Sequence, residues 1–171
     1  MALYLTKPAR RHRRAWAALC RELKQAGEKP WSNESYGKYR RNARKHAKGK
    51  HLPKGYVPSS KYFLMQHGDP KILAYLGIRH ELNDHLLNNP GGHIGYAVVP
   101  SERRKGYATQ ALRLGLQICR EMGINCVLIT CNKDNIASAK VILNNGGVLE
   151  DERQQDDGTI FQRYWIDLHE K

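Results

Sequence analysis

The sequence predicts a mixed α/β fold, and three observations carry that prediction. Helix-spaced apolar positions and short β-branched or aromatic runs follow one another as strand, two helices, three strands, helix, strand, helix, two strands. Two turn signals, His67-Gly68-Asp69-Pro70 and Asp156-Asp157-Gly158, lie between strand-like runs and mark antiparallel hairpins. A chain of 171 residues, 40% hydrophobic and 26% charged, has the size and composition of one folded domain over residues 1–171, with a basic helical part at about 1–54.

Each element follows from its local pattern. Ala2 to Lys7 is an opening strand closed by Pro8. From Ala9 to Ala26 the positions Trp16, Leu19, Cys20 and Leu23 recur at helical spacing, and Gly27 supplies the stop. Ser35 to Lys50 is a second helix, very basic and thin on its apolar face. Gly55 to Ser60 is a turn-rich connector. Strands at 61–66 and 72–80 flank the first hairpin turn, and Glu81 to Asn89 forms one or two helical turns. His93 to Val99 is an apolar strand broken by Pro100, followed by a helix from Gly106 to Met122 that ends at Gly123. The run Asn125 to Cys131 is apolar throughout, which suits a strand covered on both faces beside a parallel neighbour. A helix at 135–144 ends at Gly146-Gly147, and strands at 148–154 and 159–168 flank the second turn.

Charge is unevenly placed. Residues 1–54 hold 16 Lys and Arg against three acids, Glu22, Glu28 and Glu34, while the remainder balances 13 against 13. The net charge of +13 therefore belongs to the N-terminal third. Such a segment is either a solvated face that draws anions or a surface for nucleic acid, although no aromatic-interleaved module accompanies it. No apolar run reaches the roughly 18 residues of a membrane span, so no membrane partner is expected. Met1 to Arg14 lacks the apolar stretch of a secretory signal. The four cysteines, Cys20, Cys119, Cys126 and Cys131, show no CxxC spacing and sit in apolar patterns, which favours buried free thiols over a disulfide or zinc ligands. A cytoplasmic location and no metal follow as expectations.

The segment richest in chemistry runs from Val98 to Thr109. An apolar strand stops at Pro100, a polar turn follows, and a helix opens at Gly106. Backbone N–H groups at a helix start lack internal partners and carry partial positive charge, so they favour phosphate. Gly106 allows close approach, Ala108 is small, and Arg103, Arg104 and Lys105 add charge. The spacing matches neither a Walker P-loop nor the GxGxxG dinucleotide fingerprint.

Arg103-Arg-Lys-Gly-Tyr-Ala108 resembles the R/Q-x-x-G-x-G/A signature of the GNAT N-acetyltransferase superfamily. The flanking string from His93 and the Asn135-Ile-Ala-Ser138 helix start come in that family's order. Gly55 to Ser60, Arg79-His80 and Arg163 to Asp167 look like a little-characterised acetyltransferase subgroup. The resemblance covers about residues 55–168. It implies the acyl-CoA N-acyltransferase fold, a mostly antiparallel central sheet of about seven strands with helices on both faces. It also implies acetyl-CoA as co-substrate, a primary amine of a small molecule or protein as acceptor, and a homodimer.

The same resemblance places coenzyme contacts. Tyr96, Ala97 and Val98 match the splayed strand that pairs with pantetheine, and Arg103 to Ala108 (including Tyr107) with Thr109 match the pyrophosphate loop. Asn135 and Ser138 match the pantetheine side, with Asn135 or Asp134 also suited to capping the helix. Transfer to an amine needs a proton acceptor, because an ammonium has no lone pair. The family often carries a Tyr seven residues after the position of Asn135 as leaving-group acid, and here Ile142 stands there. Where some relatives have a Glu base stands Thr130. His93, His80, Glu81 and His85 are the replacement bases to weigh, and Tyr107 and Tyr164 the replacement donors. The N-terminal charge disfavours a strongly cationic acceptor unless Glu81, Asp84, Glu150 and Asp151 line its side of the cleft. The alternative reading is a nucleic-acid- or ribosome-associated module built on residues 1–54.

Overall fold

Alternating burial along two long strands organises the molecule, whose computed structural model describes residues 2–30 and 32–169. Strand β1 (Leu3–Thr6) pairs antiparallel with β2 (Ser59–Gln66), and β2 with β3 (Asp69–Arg79). Side chains on a strand point to opposite faces in turn. Accordingly Phe63 and Met65 enter one core cluster while Tyr62 and Leu64 enter another. The first hairpin turn is tighter than its sequence signal, because Asp69 and Pro70 already belong to β3.

Helices α1 (Arg13–Gln25) and α2 (Tyr36–His46) cover the first face. Trp16, Leu19 and Leu23 repeat at helical spacing and are buried, and Tyr36 and Tyr39 join them from α2. The Trp16 and Tyr39 rings stack at 4.3 Å. A short 3₁₀ turn at Arg10–His12 precedes α1, shortening the predicted helix. At its other end Gly27 takes φ +73, and the Glu28 amide donates to the Leu23 carbonyl at 2.8 Å. This left-handed stop turns the chain sharply. The turn starts the segment that reaches Arg103 through Glu28.

After the short α3 (Asp84–Asn88) comes β4 (Ile94–Val98), antiparallel to β3 and last in the order β1-β2-β3-β4. Helix α4 (Tyr107–Glu121) packs on the second face with Ala111, Leu112, Leu116 and Cys119 buried. Next come β5 (Cys126–Asn132), α5 (Ile136–Leu143), β6 (Val148–Gln154) and β7 (Ile160–Asp167). These strands form a second sheet in the order β5-β7-β6, antiparallel throughout. The seven expected strands are present, divided four and three. The apolar run in β5 does not signal a parallel neighbour. Val127, Leu128 and Ile129 are buried on both faces of an antiparallel strand because the two sheets meet there.

The sheets are stitched at a single point. Gly92 bridges Ile129, and His93 donates its amide to the Leu128 carbonyl at 2.7 Å. Beyond that point β4 and β5 have no ladder between them, so a V-shaped gap opens toward Val98. A Cβ on Gly92 would lie 2.4 Å from the Leu128 carbonyl oxygen, so only glycine permits the approach. Of the cysteines, Cys119 and Cys131 are buried, Cys20 is partly so, and Cys126 is exposed, contrary to its apolar sequence context. Its strand end projects past the sheet junction. No helix among the described residues is long and apolar enough to cross a membrane.

Candidate active site

The gap beside β4 holds a cleft of about 530 Å³. Its walls come from β4 (Tyr96, Ala97, Val98), the loop and first turn of α4 (Arg103, Arg104, Gly106 to Thr109), and the start of α5 (Asn135, Ser138). Eleven of the twelve cofactor residues expected from the sequence thus line one cavity, although they come from three separated segments. Lys105 is the exception. Its ammonium turns away to the Glu102 carboxylate at 2.9 Å.

The loop is shaped to bind an anion. Arg104 and Gly106 both take left-handed backbone conformations, φ +61 and +80, which curl successive amides inward. Gly106 forms the N-cap of α4 without a side-chain cap. Among the described residues, the amides of residues 104 to 109 make no hydrogen bond. Open space lies where a Gly106 Cβ would be. Free amides, a helix start and that unfilled space fit a diphosphate.

Acids that the sequence reading left unexplained hold this loop in place. Glu102 is a buried carboxylate bonded to both Lys71 and Lys105, and these partners keep it ionised below the usual carboxylate range. Glu22 on α1 accepts the Ser101 amide at 2.6 Å. Glu28 pairs with Arg103 at 2.7 Å. Two of the three acids in the basic N-terminal third therefore clamp the loop. No short-range signal announces this, since Glu28 and Arg103 are 75 residues apart.

On α5, Asn135 rather than Asp134 caps the helix, its Oδ1 accepting the Ser138 amide at 3.0 Å. Its amide nitrogen makes no hydrogen bond among the described residues. The Tyr96 hydroxyl lies 2.9 Å from Ser138 Oγ, and burial pushes its phenol up to about 12. Ile142 is fully buried in the core, consistent with its apolar side chain.

The four bases weighed from the sequence separate in space. His93 is buried, and its Nδ1 accepts the Leu128 amide at 3.0 Å, so the neutral ring must carry its proton on Nε2. Burial and the nearby Arg79 push it down to about 4. That employment, as a suture between the sheets, leaves no lone pair for catalysis. His80 bonds Ser60 Oγ at 2.9 Å and lines a different groove. Glu81 is exposed and lines no cavity described here. His85 alone faces a cavity across β4 from the cleft that Tyr96 lines. Among the donors, Tyr107 lines the cleft, whereas Tyr164 is buried against Gln162. Thr130 accepts the Gly91 amide at 2.7 Å, fixing the turn before β4.

The cavity that His85 faces, of about 440 Å³, lies between α2 and the ends of β2 and β3. Glu34, His46, Lys61 and Arg79 also line it. A smaller recess over Gly77 and Gly95 shares Tyr39, Lys61 and Arg79 with it. Gly95 and Tyr96 are adjacent, so the recess and the cleft beside α4 meet β4 on opposite faces.

Comparisons with known proteins agree on the architecture. A family model described as an acetyltransferase (GNAT) domain matches residues 2–148. No curated protein sequence matches. Among solved structures, an acetyltransferase from Salmonella typhimurium that modifies the N-terminal serine of ribosomal protein L7/L12 superposes with TM-score 0.70 at 20% identity, covering 98% of this chain and 95% of that one. The microcin C7 self-immunity acetyltransferase, in complex with acetyl-CoA and AMP, gives 0.69 at 18% identity over 96% and 92%. A spermidine N-acetyltransferase chimera from Vibrio cholerae gives 0.68 at 15% identity over 98% and 96%. At these identities the structural likeness speaks for the fold.

Proposed function

This chain belongs to the GNAT acetyltransferase family, and from that premise we propose how its own residues divide the work of an acetyl-CoA-dependent N-acetyltransferase. The amides of residues 104 to 109, with Arg103 and Arg104, hold the diphosphate of the coenzyme. Tyr96 to Val98 and Asn135 hold its pantetheine arm. When bound, acetyl-CoA supplies an activated acetyl thioester. The observation that carries this reading is the set of unpaired amides around Gly106 on the wall of the cleft.

The acceptor amine enters from the cavity on the other face of β4. Of the groups lining that cavity, His46 or His85 takes the amine proton, directly or through water. His93 keeps β4 and β5 joined at the apex of the gap and takes no proton itself. Tyr96 replaces the missing tyrosine of α5. Its raised phenol stays protonated at neutral pH and holds at Oη the proton that the departing sulfur needs.

Isothermal titration tests the assignment. Wild type should bind acetyl-CoA in the micromolar range, and Gly106→Trp should abolish binding while leaving the thermal transition within a few degrees. Absence of binding to the wild type up to millimolar acetyl-CoA would overturn it.

A second reading has its own observation. Lys7, Arg40, Arg44 and Lys48 converge on a groove of about 570 Å³ beside α2, with Glu121 as its acid. That concentration of cations fits docking to an RNA backbone, and an acetyltransferase can carry such a surface.

A further inference from the structure

Two hydroxyls meet on the wall of the cleft. Asn135 Oδ1 caps α5 by accepting the Ser138 amide at 3.0 Å, which fixes Ser138 in the first turn of the helix. From there Ser138 Oγ reaches the Tyr96 hydroxyl of β4 at 2.9 Å. The two residues are 42 positions apart in the chain, and both line the cleft.

The direction of that hydrogen bond follows from a second contact. Tyr96 Oη also lies 3.4 Å from the Ser138 carbonyl oxygen. A carbonyl only accepts, so with the Tyr96 proton turned toward it the 2.9 Å bond must run from the Ser138 hydroxyl to Tyr96 Oη. At 3.4 Å the carbonyl holds the phenol proton loosely, and a better acceptor in the cleft takes it over. The opposite direction would spend the Tyr96 proton on Ser138 Oγ and leave none for the cleft. Cys131, which interacts with the same serine hydroxyl, competes poorly for its proton. Burial pushes that thiol up, so it keeps its own proton at neutral pH, and its sulfur is a weak acceptor. Burial also raises the Tyr96 phenol, and the Ser138 hydrogen bond is the contact that draws it back down.

We propose that Ser138 is a positioning residue whose hydroxyl donates to Tyr96 Oη and so turns the Tyr96 proton toward the coenzyme sulfur. The proposal rests on the donor role given to Tyr96 above and deepens it. When the C–S bond of the thioester breaks, its electron pair stays on sulfur and the Tyr96 proton passes to it. The phenolate left at Oη keeps the Ser138 hydrogen bond, now charge-assisted and stronger, until a proton from water restores the phenol. Ser138 gives up no proton of its own.

The test needs no acceptor amine. Free CoA carries the thiol that the reaction releases, and desulfo-CoA is the same molecule without it. Isothermal titration gives the ratio of the two affinities as pH is raised through the ordinary thiol value of about 8.5. In the wild type the preference for CoA should rise about tenfold, because the bound thiolate accepts the Tyr96 proton. Tyr96→Phe should flatten that rise, and Ser138→Ala should remove most of it. In the Tyr96→Phe background Ser138→Ala should change the rise no further, since it acts only through Tyr96. Ser138→Thr keeps the hydroxyl and should restore the rise. A merely structural role, or a lost contact to the pantetheine arm, would lower both affinities together and leave the rise intact. A full rise in Ser138→Ala, with the rise lost in Tyr96→Phe, overturns the proposal alone. A flat wild-type profile, or a full rise in Tyr96→Phe, refutes the donor role of Tyr96 and takes the proposal with it. If neither CoA nor desulfo-CoA binds, the coenzyme site itself is refuted, and the proposal falls with it.

Discussion

His93 shows how a single hydrogen bond changes a residue's role. As a sequence position it begins the coenzyme-facing strand and carries a ring that titrates near neutrality. In the fold its Nδ1 accepts the Leu128 amide, and charging the ring would break that bond inside the core. Its folded value near 4 lies below the ordinary 6.5, so the unfolded chain binds the proton more readily. Its stabilising contribution is therefore complete above pH 6.5 and disappears as pH falls toward 4. Its size is on the order of 3 kcal/mol. Urea unfolding of wild type and His93→Gln should show an acid loss of that order in the wild type alone. Parallel pH profiles would count against it. Steady-state kcat of the variant, corrected for folded protein, should fall less than the hundredfold typical of a lost general base.

At the scale of elements, the loop before α4 is held by partners distant in sequence. Gly27 ends α1 and turns Glu28 toward Arg103, Glu22 reaches Ser101, and Glu102 gathers Lys71 and Lys105 beneath the loop. The Glu28 to Arg103 pair is exposed and worth little alone. Glu102 is different, because the residue is 8% exposed and its carboxylate serves two lysines. Glu102→Ala should lower stability by about 1–3 kcal/mol in urea titration. It should also weaken acetyl-CoA binding, since the freed loop must be ordered on binding. An unchanged affinity would mean that the loop needs no support from below.

Across the whole molecule, the basic N-terminal third is part of the core. Trp16, Leu19, Leu23, Tyr36 and Tyr39 cover Phe63, Met65, Ile72 and Tyr75, so removing residues 1–54 would lay that sheet face bare. Charge reversal is the better probe of the groove beside α2. If RNA docks there, affinity should fall steeply between 50 and 200 mM salt, and Arg40→Glu with Arg44→Glu should weaken it at least tenfold in a filter-binding assay. Affinity equal to wild type would exclude the groove as an RNA surface.

The sequence by itself determined the order of elements and the helix opening at Gly106, both written in local signals: apolar period, glycine stops and a polar turn before a helix. The positions expected at the cofactor came instead from the resemblance to a family, and eleven of them line one cleft. Local signals could not assign His93, Glu28 or Ser138, because their roles are set by partners 35 to 75 residues away. Only the tertiary structure decided which histidine is buried as a peg, which acids clamp the loop, and that Lys61, Gly77 and Gly95 align across three strands. The reason is that charge, desolvation and open space at a site depend on which chains meet there, and strand register brings together residues that no local pattern pairs.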